Sequence, residues 1–240
     1  MVDILDPVVV LKVRGDATKK LAIRIGWQQM TKSLISQWAE HVQPDVNENY
    51  RTYGDESNTR QVRADVGWDW FECFRYAGLH NVISKNKHRA VAVCAVIETT
   101  AGFFPVGMLT AVPCLMCSVD EEKRSRGFAW YLADAPVETY AALGIHPASQ
   151  VAAVLLDSAI QLSRSLGGDG TLLLHADPSG GDRLQKFYIG AGMRQLDAGG
   201  TAVTYLRRKH KTEEYFVFSP TAAAEFCRRF DAQRASALPT

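Results

Sequence analysis

Three carboxylates fall where strand-like runs end: Glu98 late in Arg89 to Thr100, Asp134 late in Phe128 to Ala135, and Glu138 just beyond it. A carboxylate at a strand end can take a proton from a bound nucleophile, directly or through water. His175 closes the run Thr171 to Ala176, and His146 precedes a helix that Pro147 opens. The simpler reading of each is structural: a ring satisfied by a backbone carbonyl for His175, a helix cap for His146. Cys114 and Cys117 have the Cys-x-x-Cys spacing of a metal or redox pair. They follow strand residues rather than opening a helix, and no second Cys or His pair sits at a matching distance. Chance placement is the better account, and no metal is expected. No Ser nucleophile elbow, glycine-rich nucleotide loop or His-Glu-x-x-His is present.

The bulk properties narrow the partners. With 27 Lys and Arg against 26 Asp and Glu, the formal charge of +1 gives no electrostatic reason to expect nucleic acid or an anionic membrane. No apolar run reaches the roughly 18 to 20 residues that cross a bilayer. Met1 to Gly15 carries Asp3 and Asp6 and does not read as a secretory signal. Five cysteines, an odd number, point to reduced thiols and a cytoplasmic protein.

The elements that must position these groups follow from patterning. Val8 to Val13 is a first strand, and Leu21 to Ile25 is either a second strand or a helix start. Met30, Leu34, Ile35 and Trp38 recur at helical spacing within Trp27 to His41, with Pro44 beyond. Gln43 to Asp65 is polar and turn-rich, the longest loop-like tract. Val66 to Tyr76 is dense in aromatics, with Trp70, Phe74 and Ala77 on one helical face and other rings left to line a pocket. Arg89 to Thr100 and Phe103 to Val112 form a hairpin about Thr100-Ala101-Gly102. Val119 to Gly127 is charged and exposed, and Phe128 to Ala135 is a third strand. Pro147 to Leu166 is a helix stopped by Gly167-Gly168, and Thr171 to Ala176 a strand buried on both faces. A short helix (Gly181 to Gly190), a hairpin (Met193 to Asp197 with Thr201 to Arg207), a strand (Tyr215 to Phe218) and a helix (Thr221 to Arg234) close the chain. Pro220 and Thr221 give that last helix its cap.

Within this order, Leu155-Leu156-Asp157-Ser158-Ala159-Ile160, then Gly167 to Gly170, Leu172-Leu173-Leu174-His175-Ala176, and Phe187-Tyr188-Ile189-Gly190-Ala191-Gly192-Met193 resemble the GNAT N-acetyltransferase superfamily. The resemblance implies an α/β fold, with a mixed, mostly antiparallel central sheet flanked by helices and splayed open to admit acyl-CoA. It implies one domain over residues 1–240, of which 1–85 shape the acceptor pocket and 86–240 form the acyl-CoA core. The activity implied is acyl transfer from acetyl-CoA, as co-substrate, to an amine of a small molecule or protein. A catalytically inactive GNAT-fold binding or regulatory module is the alternative.

By the same resemblance, Tyr188 is the acid for the leaving thiolate, Asp134 the first choice of base, and Glu98 and Glu138 further candidates. Backbone amides around Leu132 and Asp134 would bind the acyl carbonyl. The CoA pyrophosphate would meet the helix start at Ala148, Ser149, Gln150, Val151 and Ala152, because unpaired amides and the helix dipole favour an anion. The superfamily has glycines in this loop, and here there are none. Gln150 can match the superfamily's Gln or Arg. Matching Leu155-Leu156 instead places Gln150 and Ala152 where glycines are expected. Oligomeric state stays open, since the terminal strand and helix could pack locally or against a partner.

Overall fold

The structure, a computed structural model, describes residues 9–12, 22–84, 89–198 and 212–235. Strands β1 (Val9–Lys12), β2 (Ala22–Gln29), β5 (Val91–Thr99), β6 (Gly102–Val119), β7 (Glu122–Asp134), β8 (Leu172–His175), β9 (Arg194–Gln195) and β10 (Tyr215–Phe218) form one sheet in the order β1-β2-β5-β6-β7-β8-β10-β9. Every neighbouring pair is antiparallel except β7 and β8, which run parallel. The sheet is thus mixed, mostly antiparallel and flanked by helices, the layout that the resemblance implies. A separate two-stranded parallel ribbon joins β3 (Tyr50–Arg51) to β4 (Gln61–Val62).

Phe104 to Pro113 of β6 is buried without interruption, which a strand achieves only with a layer on each face. One layer is α5 (Val151–Ser165), whose Val154, Leu155, Ala159 and Ile160 are at most 1% exposed. Gly107 lets α5 approach: a Cβ there would come within 2.9 Å of Val151 Cγ1 and 3.1 Å of Leu155 Cδ1. Helices α1 (Lys32–Gln37) and α3 (Trp70–Ile83) also pack on β6, with Trp38 and Trp70 edge to face at 6.0 Å. The remaining helices are α2 (Gln43–Asn49), α4 (Val137–Ala142), α6 (Gly181–Ala191), α7 (Pro220–Arg228) and α8 (Asp231–Ala235).

Several boundaries differ from the sequence expectation, each for a physical reason. Trp27 belongs to β2, not to the following helix, which Thr31 caps by accepting from Leu34 N. Gln43 to Asp65 is not one loop. Pro44 opens α2 rather than ending a helix, because the first helical turn does not need its N–H. Strand β6 runs past Val112 to Val119, with Pro113 absorbed where the register slips between Val112 and Leu115. The charged tract after it is a hairpin whose turn residues, Asp120 and Glu121, both have positive φ. Its Arg126 is not exposed but 3% accessible. Helix α5 begins at Val151, four residues after Pro147. Ser219, not Thr221, caps α7 by accepting from Ala222 N, and the final helix divides into α7 and α8. The strand expected at Thr201 to Arg207 lies outside the described residues.

Candidate active site

Strand β7 pairs with β8 only over Gly127–Ala129 against Leu172–Leu174. From Trp130 to Asp134 it keeps β6 on one side and faces an opening on the other. The Ala135 amide donates to Val106 O at 2.8 Å, toward β6. Backbone groups alternate sides along a strand, so the N–H and C=O of Asp134 and Leu132 face the opening. A cleft of about 470 Å3 occupies it. Its walls are the end of β7 with Pro136–Glu138, the first turn of α5 at Ala152, the α6 residues Arg183, Leu184, Phe187 and Tyr188, and the ribbon with the residues that follow it.

The ribbon side is held by one arginine. Arg63 Nε and Nη2 donate to the two oxygens of Asp65 at 2.8 and 2.7 Å, while Nη2 also donates to Asp134 O at 2.6 Å and lies 3.3 Å from Asp134 Oδ1. The guanidinium stacks 5.0 Å from the Tyr50 ring centroid. Burial pulls its pKa down, but the hydrogen bonds and charge of Asp65, with Asp134, outweigh this and hold it above the ordinary arginine value. Tyr50 Oη donates to Glu138 Oε2 at 3.2 Å, and burial first, then the Glu138 charge, raises the phenol. Asp65 is 4% exposed, and its carbonyl accepts from Gln43 Nε2 at 2.8 Å. The Trp38 indole N–H donates in turn to Gln43 Oε1, so this chain ties the cleft wall to the core.

At the other end, the first intrahelical bond of α5 is Val154 N to Gln150 O, 3.0 Å. The amides of Val151, Ala152 and Ala153 therefore have no partner within the helix. Gln150 stands at φ 65, ψ 20 without a side-chain capping bond.

The sequence candidates separate clearly. Tyr188 lies on α6, 6% exposed, its ring 5.4 Å from both Phe187 and Phe216. Burial chiefly, then the charges of Asp177 and Asp65, pushes its phenol well above the usual range, so it stays protonated. Asp134, Glu138, Leu132 and Ala152 join it in the cleft walls. Glu98 does not. It is exposed near the β5–β6 turn, opposite Phe103, with β6 between it and β7. Val151 packs onto the sheet beside Gly107, and Ala148 is buried. Ser149 and Gln150 line a separate hollow against Phe226, Arg229 and Phe230.

His146 is exposed and is not the cap of α5, a position that Gln150 takes. His175 Nε2 lies 3.1 Å from Glu214 Oε2, a carboxylate. Cys114 and Cys117 sit three apart on β6, which sends their side chains to opposite faces. Among the described residues no group of three or more His, Cys, Asp or Glu could hold a metal, and no helix is long and apolar enough to cross a membrane. Burial pushes the Cys73, Cys94 and Cys227 thiols up to about 12, away from nucleophilic thiolates.

Sequence reasoning missed Arg63, Asp65, Tyr50 and Arg183. The first three lie in or beside the stretch read as a loop. The spacing Arg63-x-Asp65 in extended chain, which puts two opposite charges on one side, was the available signal.

No protein-family model matches the chain, and no curated protein does. Solved structures with similar architecture include the KacTA–DNA complex, at 12% identity and TM-score 0.44 over 85% of this chain and 99% of that one. A second is a mutant AtaT toxin bound to the C-terminus of the antitoxin AtaR and acetyl-CoA, at 14% identity and TM-score 0.45 over 84% and 96%. A third is a GNAT-family acetyltransferase from Staphylococcus aureus Mu50, at 14% identity and TM-score 0.43 over 80% and 97%. The GNAT-like layout of this chain rests on its own strand order and on the opening where β7 leaves β8.

Proposed function

We propose that the cleft binds an acyl-CoA and that the protein transfers the acyl group, acetyl in the simplest case, to an amine. The observation that carries this reading is the separation of β7 from β8 after Ala129, which turns the donors of Leu132 and Asp134 toward a cleft that also meets the first turn of α5 and Tyr188. Phosphates suit the unpaired amides at Val151–Ala153. Gln150 adopts the left-handed conformation that glycine takes without strain, which favours the register matching Leu155-Leu156, with Gln150 in a glycine's place.

In the reaction the ammonium first gives a proton to Asp134, directly or through water, with Glu138 beside it. The nitrogen lone pair then attacks the thioester carbon, the N–C bond forms, and the oxyanion is held by backbone amides. As the C–S bond breaks, the nitrogen sheds its remaining surplus proton to water, the sulfur takes the phenolic proton of Tyr188, and water restores the phenol while Asp134 releases its proton to solvent. Acyl-CoA and ammonium become amide, free CoA and one proton. Residues 1–85, through the ribbon and Trp68, shape the acceptor side.

Isothermal titration with acetyl-CoA tests the reading. A Kd of about 10–100 µM, or 5.5–7 kcal/mol, is expected. Absence of heat and of any thermal shift at millimolar ligand overturns it. One observation favours a module without transfer chemistry: Arg63 already occupies the Asp134 carbonyl at the open edge. That reading requires acetyl-CoA to bind while no amine in a broad panel releases thiol.

A further inference from the structure

The cleft continues into a second chamber of about 60 Å3, wedged where β7 and β8 part. Ala64, Leu132, Leu184 and Tyr188 line both spaces, so the two adjoin at these side chains. The two differ in character. Two arginines, Arg63 and Arg183, line the larger one. Among the described residues the smaller has no lysine or arginine in its walls; its acid is Asp177, and its His175 is turned to Glu214, with Nε2 3.1 Å from Oε2. Trp68 and Tyr131 line it, packed edge to face with centroids 5.4 Å apart and planes at 85°, and Trp130 stacks on Tyr131 at 5.8 Å, so its wall is built of aromatic rings. Asp177 Oδ1 accepts from Ser179 N at 2.9 Å, which fixes the carboxylate and leaves capacity for a further donor. Burial dominates the upward displacement of the Tyr188 phenol, and the charges that add to it are those of Asp177 and Asp65. Both carboxylates thus act on the point where the chambers join.

A small space with aromatic walls, a fixed carboxylate and no lysine or arginine suits an ammonium group, which gains from the rings and from the anion together. At roughly 10–15 Å3 per water-sized group, the chamber holds about four or five heavy atoms. We propose that it takes the acceptor as an unbranched primary alkylammonium, an aminoalkyl tip entering nitrogen-first between Trp68, Tyr131 and Asp177. An α-amino acid is disfavoured, because its own carboxylate would face Asp177. The assignment of this amine as acceptor rests on the transferase reading, and the transfer is the one written above by its water-mediated route, since Asp134 lines only the larger chamber. The larger chamber is left to the anionic co-substrate.

Two probes separate the sources of such a tip: n-butylamine for a free amine and Nα-acetyl-lysine methylamide for a lysine side chain. Each is titrated into the protein at pH 7 with tryptophan fluorescence as readout, and glycine serves as the α-amino acid. Both amines are expected to bind at least about tenfold more tightly than glycine. Asp177→Asn keeps a side-chain acceptor for Ser179 N and should weaken amine binding about tenfold, with the acetyl-CoA Kd within about twofold. Trp68→Phe retains an aromatic surface and should cost about threefold. In a thiol-release assay Asp177→Asn should raise the amine KM with kcat held within about threefold. Amine binding indifferent to Asp177→Asn, or glycine bound as well as the amines, overturns the chamber's assignment even where acetyl-CoA binds. Amines that bind and need Asp177, in a protein that ignores acetyl-CoA, leave the site standing and bring down the transferase reading instead.

Discussion

Strand β7 is two strands in one. Its first half, Glu122 to Ala129, is hydrogen-bonded to β6 and gains β8 on its other edge from Gly127. There Arg126, almost wholly buried, donates to Cys117 O at 3.0 Å and Glu122 O at 3.1 Å and pairs with Glu122 Oε2 at 3.0 Å. Nearby, Arg124 reaches Asp169 and so ties the strand to the turn before β8. The second half, Trp130 to Asp134, is open along one edge, and its polar groups face a cleft. Charged side chains in the first half close on one another. In the second half the amides of Leu132 and Asp134 point into the opening instead. A single strand thereby separates what holds the sheet together from what can hold a ligand.

The largest effect expected is on the open half. Tyr188→Phe keeps the ring packing against Phe187 and Phe216 and removes only the phenolic proton. The kcat for thiol release should fall about 10²–10⁴-fold, about 3–5 kcal/mol of barrier, with an unchanged melting curve. An unchanged kcat would remove Tyr188 from the chemistry. In the closed half, Arg126→Met strips donors from two carbonyls and should cost about 2–4 kcal/mol in urea unfolding, with the acetyl-CoA Kd within about twofold. Loss of ligand affinity in that variant would show that the halves are coupled.

Gln150→Gly relieves a left-handed residue at the start of α5 and should gain about 0.5–1 kcal/mol, together with equal or tighter acetyl-CoA binding. Lower stability would mean that the glutamine side chain stabilises the turn by contacts of its own. The smallest effect concerns pH. Burial alone would raise Asp169, but its hydrogen bonds with Thr171 and the Arg124 charge outweigh that and hold it below the ordinary carboxylate value of 3.8. A depressed carboxylate contributes stability that is present above pH 3.8 and lost as pH falls through the folded value. Because both side chains are about a third exposed (35% and 36%) and screened by solvent, the contribution is under about 1 kcal/mol. Asp169→Asn should therefore flatten the acid limb of stability below pH 4 slightly and leave the neutral range nearly unchanged.

The sequence was most legible where local and tertiary preferences agree. Helix α5 and the buried β8 sit largely where patterning places them, and α6 runs one residue past the expected Gly190, to Ala191 before Gly192 (φ 104). It was least legible where tertiary context decides. Pro44 can end one helix or begin another, and only the π-helical turn Trp38–Val42 leading into α2 settles the choice. Pro113 argues against a strand until a slipped register accommodates it. Arg126 reads as a solvated charge among charges, since nothing local announces that Cys117 and Glu122 carbonyls await it. At the cleft, Tyr188 and Asp134 were visible because the motif and a strand end point to them. Arg63, Asp65 and Tyr50 were not, because 71 residues separate Arg63 from its Asp134 partner.

The opening along β7 has a consequence for how this protein can change. Donors at Leu132 and Asp134 belong to every amino acid but proline, so this edge can drift in side-chain identity without losing its hydrogen-bonding pattern. An alanine scan is blind to it. Replacing the Leu132 amide by an ester, which deletes one N–H and little else, interrogates the main chain directly.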